Sequence, residues 1–175
     1  MSAVDPRDRP AAEELTEAID GPVGWVALVR GEDRPGTLTA LTGVFSSRGV
    51  SFESLSTGAV DGAVGTIAVT FTTTTRRQAL LMRTVSRLAV VSAAQVRRAD
   101  DPAVLAAAIV HVPDAAVVDA VDRALGPDVR VTRGAVLPGT GGTVLVEGSL
   151  AGVSGVVAAA RERGAVATAT VVLAL

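Results

Sequence analysis

Few residues in this chain can do covalent chemistry. There is no cysteine, tyrosine or lysine, and His111 is the single histidine. Disulfides, iron–sulfur clusters, thiolate nucleophiles and cysteine-based zinc sites are therefore excluded. So are Schiff-base lysines and the lysine of a phosphate-binding P-loop. His111 sits in an apolar run before Pro113 with no nucleophile pattern around it, so it reads as a packed or edge histidine and not as a general base. Gly139-Thr140-Gly141-Gly142 lacks the Gly-Lys-Ser/Thr ending of a phosphate loop and reads as a hairpin loop. The acid pairs Glu32-Asp33 and Asp100-Asp101 read as solvated loop acids, and Arg76-Arg77 and Arg97-Arg98 as solvent- or partner-facing. One stretch stands out: a Pro35-Gly36 turn directly ahead of Leu38-x-x-Leu41-x-x-x-Phe45-Ser46-x-Arg48-Gly49. Its placement before a helix points to binding more than to a plain bend.

The bulk of the sequence narrows the partners. Its 175 residues carry 16 basic groups, all arginine, against 18 acids, for a net charge of −2. Aromatics are 2% of the chain (Trp25, Phe45, Phe52 and Phe71). A nucleic-acid binder needs a basic patch and often stacking rings, so nucleic acid is not an expected partner. Hydrophobic residues at 49% and charged ones at 19% mark a globular chain. The longest apolar stretches, Ala103–Val110 and Ala165–Leu175, are shorter than the ~20 residues that span a bilayer. The N-terminus has no apolar signal core, so the expectation is a cytoplasmic protein with no membrane partner.

The elements that would position the turn follow from periodicity. Residues 1–22, punctuated by Pro6, Pro10 and Pro22, read as a flexible or loosely docked extension in which Ala11–Ile19 could form a short helix. Trp25–Arg30 has strand length and composition. Leu38, Leu41 and Phe45 mark one helix face, with Gly49 as a left-handed stop. Val50–Thr57 alternates as a strand with Phe52 and Ser54 on one face, Asp61-Gly62 signals a hairpin, and Gly65–Thr73 points Ile67, Val69 and Phe71 one way. Thr72 to Thr75 offer N-caps for a helix over 76–89 carrying Leu81, Val85 and Leu88, and Val90–Arg98 closes as a strand. After Asp100-Asp101-Pro102 the order repeats. Strands are expected at Leu105–Val112, Val129–Leu137, Thr143–Gly148 and Ala165–Leu175. Helices are expected from Pro113-Asp114 to Leu125 and over Gly152–Arg163. The fold class is α+β: two tandem ferredoxin-like βαββαβ domains, residues 23–99 and 103–175.

Within the first domain, Glu32-Asp33-Arg34-Pro35-Gly36-Thr37-Leu38, Gly43-Val44-Phe45-Ser46-Ser47-Arg48-Gly49 and Ser51-Phe52-Glu53-Ser54-Leu55 resemble the ACT domain. More narrowly they are similar to the small, regulatory subunit of acetolactate synthase. The similarity is gapless from Val26 to Leu55. Beyond that it rests on element order, and the second domain resembles that family's C-terminal domain in layout. It departs from the family in three places. Asp33 and Ser51 stand where the family commonly has Asn, and Ala169 to Val172 replace its usual Arg-Thr-Gly.

The resemblance implies a non-catalytic regulatory subunit. It would dimerise through the ACT domain, bind a branched-chain amino acid such as valine at that interface, and modulate an acetolactate synthase catalytic subunit, which is a thiamine-diphosphate enzyme. It implies ligand contacts from Asp33, Arg34, Pro35, Gly36, Thr37, Leu38, Ser51 and Phe52, and no cofactor or metal of the chain's own. The chemistry is consistent. Free N–H groups at a helix start can hold a carboxylate, Gly36 has no Cβ to block the approach, and an ionised Asp33 can only accept, which suits an ammonium. Leu38, Leu41 and Phe52 could supply an apolar wall. A free-standing ACT sensor with another ligand or partner is the alternative. An enzyme in its own right is disfavoured by the missing catalytic groups.

Overall fold

A computed structural model of the chain describes residues 21–61, 64–134 and 141–174. The N-terminal extension over 1–20, Gly62 of the hairpin turn, and Gly139 and Thr140 of the glycine loop lie outside the described residues. The chain forms two βαββαβ units. The first runs β1 (Val23–Glu32), α1 (Thr37–Ser47), β2 (Phe52–Asp61), β3 (Val64–Thr73), α2 (Thr75–Val85) and β4 (Val91–Arg98). The second runs β5 (Leu105–Val112), α3 (Ala115–Arg123), β6 (Val129–Arg133), β7 (Gly142–Ser149), α4 (Leu150–Arg161) and β8 (Val166–Ala174). Each sheet is antiparallel, in the orders β2-β3-β1-β4 and β6-β7-β5-β8. Tandem ferredoxin-like units are thus the architecture. Among the described residues no helix is long and apolar enough to cross a membrane.

Local chemistry accounts for the helix ends. The Thr74 hydroxyl accepts from the Arg77 amide and starts α2, and the Asp114 carboxylate accepts from the amides of Ala116 and Val117 and starts α3. Ser149 caps α4 through the Gly152 amide while donating to the Asp128 carboxylate. Helix α2 ends at Val85, four residues short of the sequence expectation. There the chain tightens into i→i+3 bonds from Arg87 and Leu88 to the carbonyls of Thr84 and Val85.

The first core lies between its sheet and helices. Trp25, Ala27, Val29, Leu41, Phe45, Val69, Phe71, Leu81 and Val85 are buried together. Phe45 stands edge-on to Phe71 at 5.2 Å and to Phe52 at 6.3 Å. Phe52 and Ser54 do not share a face as their spacing predicts. A bulge in β2 sets Phe52 opposite Phe71 and Ser54 opposite Thr70. Phe52 therefore turns toward the helices, and the Ser54 hydroxyl meets the Thr70 hydroxyl at 2.7 Å on the other face.

That other face is not left to solvent. Val26 and Ala68 are buried in one cluster with the second unit's core, which includes Val110, Val146, Val153 and Val157. The connection over 99–104 holds the units close. Ala99 donates to Gly24, Val104 to Asp101 and Leu150 to Val104, at 2.8–2.9 Å.

Candidate functional site

The segment after β1 is a tight turn built by Pro35 and Gly36. The Thr37 amide donates to the Arg34 carbonyl at 3.3 Å, closing a four-residue turn with Pro35 and Gly36 in the middle. Gly36 has φ 95° and ψ −19°, the third position of a type II turn. That position needs φ > 0, which is why glycine stands there. Gly36 is also the N-cap of α1. Among the described residues no side chain caps this helix, and its first turn holds no acid. The other three helices among the described residues each have a side-chain cap. The Thr37 amide is spent on the turn and the Ala40 amide bonds Gly36 at 2.8 Å, which leaves the amides of Leu38 and Thr39 facing outward from the helix start.

A second polar group is left over at the same place. The Thr37 side chain is 6% exposed, and its hydroxyl has no hydrogen-bond partner. A buried hydroxyl without a partner costs about 1–3 kcal/mol. Thr37 lines a cavity of about 230 Å³ at the end of the sheet. Asp33, Arg34 and Leu38 form one wall, and Thr57, Gly58, Gly65 and Thr66 of the β2–β3 ladder form another. The floor is low because Gly58 and Gly65 carry no side chains. A Cβ at Gly65 would touch the Asp33 side chain at 3.6 Å, so this position looks straight across the cavity. Arg34 is held by an ion pair with Glu32, and Leu38 is 42% exposed at the rim.

Of the eight residues singled out from sequence, Asp33, Arg34, Thr37 and Leu38 line this cavity, and Pro35 and Gly36 shape the turn beside it. Ser51 and Phe52 are elsewhere. They line a separate depression with Ser46, Gly49 and Val50 at the far end of α1, so one protomer does not bring them to the turn. The sequence reading missed Thr57, Gly58, Gly65 and Thr66. Their signal was a glycine just past the end of one expected strand and another at the start of the next, a place where the ladder gives up side chains. Among the described residues no group of three or more metal-ligating side chains converges. The site can hold an anion at the helix start, accept a cation at Asp33 and cover a short apolar group with Leu38.

No curated protein matches the chain in sequence. Several solved structures are similar to the chain. The acetolactate synthase small subunit from Thermotoga maritima is 13% identical with a TM-score of 0.61, over 87% of this chain and 97% of that one. The regulatory subunit of aspartate kinase from Thermus thermophilus is 15% identical with a TM-score of 0.46, over 81% and 94%. A homoserine dehydrogenase from Thiobacillus denitrificans is 18% identical with a TM-score of 0.39 over 45% of this chain, which spans 18% of its length. In sequence, residues 25–88 match the family model described as the ACT domain. Residues 25–88 are an ACT domain, carried in a two-unit fold shared with the Thermotoga maritima subunit.

Proposed function

We propose that this chain is a non-catalytic regulatory subunit that binds a small amino acid at the β1–α1 turn of its ACT domain. The observation that carries the proposal is the buried, unpartnered Thr37 hydroxyl beside an uncapped helix start, at the residues Thr37 and Leu38 that line the 230 Å³ cavity. These donors suit a carboxylate, and the Asp33 carboxylate suits the ammonium of the same zwitterion. The cavity is smaller than the ~300–1,000 Å³ of drug-sized ligand sites, which favours a compact molecule. A branched-chain amino acid of valine size, with its tail against Leu38, is the ligand we favour.

We further propose that two copies pair through the ACT domain, so that this cavity on one chain is completed by the other. Pairing offers Ser51 and Phe52 a role they lack within one chain, as contacts from the partner. A ligand shared between two chains couples its own binding to the geometry of the pair, which is how a small module biases a larger one. The fold likeness over nearly the full length of the Thermotoga maritima protein supports acetolactate synthase as the enzyme regulated. The alternative, an ACT sensor with another partner, shares the site but not the enzyme. Mixing this protein with an acetolactate synthase catalytic subunit separates the two. The proposal expects the rate to rise on mixing and to fall again with valine, and a rate indifferent to the protein favours the free-standing sensor.

A further inference from the structure

A cavity larger than that at the turn lies elsewhere. A cleft of about 470 Å³ opens between the two units, twice the volume of the turn cavity and within the usual range for small-molecule sites. One wall is the helix-free face of the first sheet, where the bulge in β2 brings Glu53 and Ser54 to the same side as Thr70. The other wall is one face of α4, with Ala151, Ser154, Ala158 and Arg161 at helical spacing. Leu150 and Val157, both nearly buried, supply apolar surface between the walls. The cleft exists because three of those α4 positions are small. Val153, Val156 and Ala160 on the opposite face pack fully into the second core, so α4 cannot rotate to close it.

The charges on the two walls are of opposite sign. Glu53 accepts from the Thr72 hydroxyl at one oxygen, which leaves the second carboxylate oxygen open. Asp100, also at the cleft, is taken up by both guanidinium bonds of Arg98 at 2.9 Å. Among the described residues Arg161 has no acidic partner, although α4 presents it to the cleft. Hydroxyls of Ser54, Thr70, Ser154 and Thr170 edge the same space. A cation-accepting and an anion-accepting side chain line the same partly apolar cleft, one from each unit.

We propose that this cleft is a second binding site, for an amino-acid-sized zwitterion held by its anionic group on Arg161 and its cationic group on Glu53. It is independent of the turn cavity. A ligand there clamps the ACT domain to the second unit, since neither wall alone offers both charges.

The test is a thermal-shift and calorimetric screen of the proteinogenic amino acids on the full chain and three variants. Gly65→Val fills the turn cavity. Arg161→Ala removes the cleft cation at an exposed position in the last turn of α4, and Ser154→Leu fills the cleft from an exposed helix position. At least one amino acid is expected to bind Gly65→Val as tightly as wild type. The same amino acid should bind Arg161→Ala about 10- to 100-fold more weakly, the loss of a charge-assisted hydrogen bond, and should not bind Ser154→Leu. A response abolished by Gly65→Val and untouched by both cleft variants overturns the cleft site and leaves the turn site standing. Absence of any response in Gly65→Val overturns it as well.

Discussion

The Thr37 hydroxyl is buried without a partner at the start of a helix that no side chain caps. If that arrangement serves a ligand, removing it should help the empty protein and harm the bound one. Thr37→Val keeps the shape and deletes the hydroxyl. The expected outcome is a gain of about 1 kcal/mol in denaturant stability without ligand, together with about tenfold weaker amino-acid binding. A structural role alone would move only the first reading. Gly36 makes a different demand. Nothing lies within 4 Å of a Cβ built there, so its constraint is the left-handed backbone and not space. Gly36→Ala should cost about 1–2 kcal/mol in chemical denaturation. Gly36→Asp should in addition abolish the ligand response, because it sets a negative charge at the proposed carboxylate position.

At the scale of elements, the start of α4 is tied to the Asp128 carboxylate that precedes β6. The Ser149 hydroxyl donates to Asp128, and this bond, its largest cause, holds the Asp128 carboxyl below the ordinary aspartate range. A depressed folded-state value means stability that is present above the unfolded value and lost as pH falls through the folded one. Thermal melts of wild type should therefore weaken as pH drops below about 4. Asp128→Ala should start from a lower melting temperature at neutral pH and lose less over the same acid interval. Equal acid limbs would mean the Asp128–Ser149 bond contributes nothing.

Most of this level was legible in the sequence. The order of strands and helices, the Thr and Asp caps, and the Gly49 stop followed from periodicity and turn chemistry. That stop does adopt positive φ. Where reading by period failed, a long-range contact intervened. The β2 bulge between Phe52 and Ser54 breaks the alternation because β3 pairs Phe71 and Thr70 with residues two apart. No period-2 rule carries that information. The floor of the turn cavity was missed for a related reason. Gly58 and Gly65 matter only once the ladder sets them at the cavity that Asp33 also lines.

At the scale of the whole molecule, the two units share surface that each would otherwise expose. Val26 and Ala68 are 0% and 5% exposed on the face of the first sheet that carries no helix of its own. Burying an unpaired charge there has no compensation. Ala68→Asp should destabilise the chain by about 3 kcal/mol or more and split one calorimetric transition into two as the units melt apart. A single transition in the variant would mean the units are coupled by something other than this face.

The proposed ligand contact is a carboxylate received by the Leu38 and Thr39 amides and the Thr37 hydroxyl. Calorimetric titration of the full chain with valine, leucine and isoleucine, run in parallel on Thr37→Val, reads that contact most directly. Saturable heat with at least one of the three, weakened about tenfold in the variant, is the predicted result. No heat with any of them, or identical affinities in the two proteins, would contradict it.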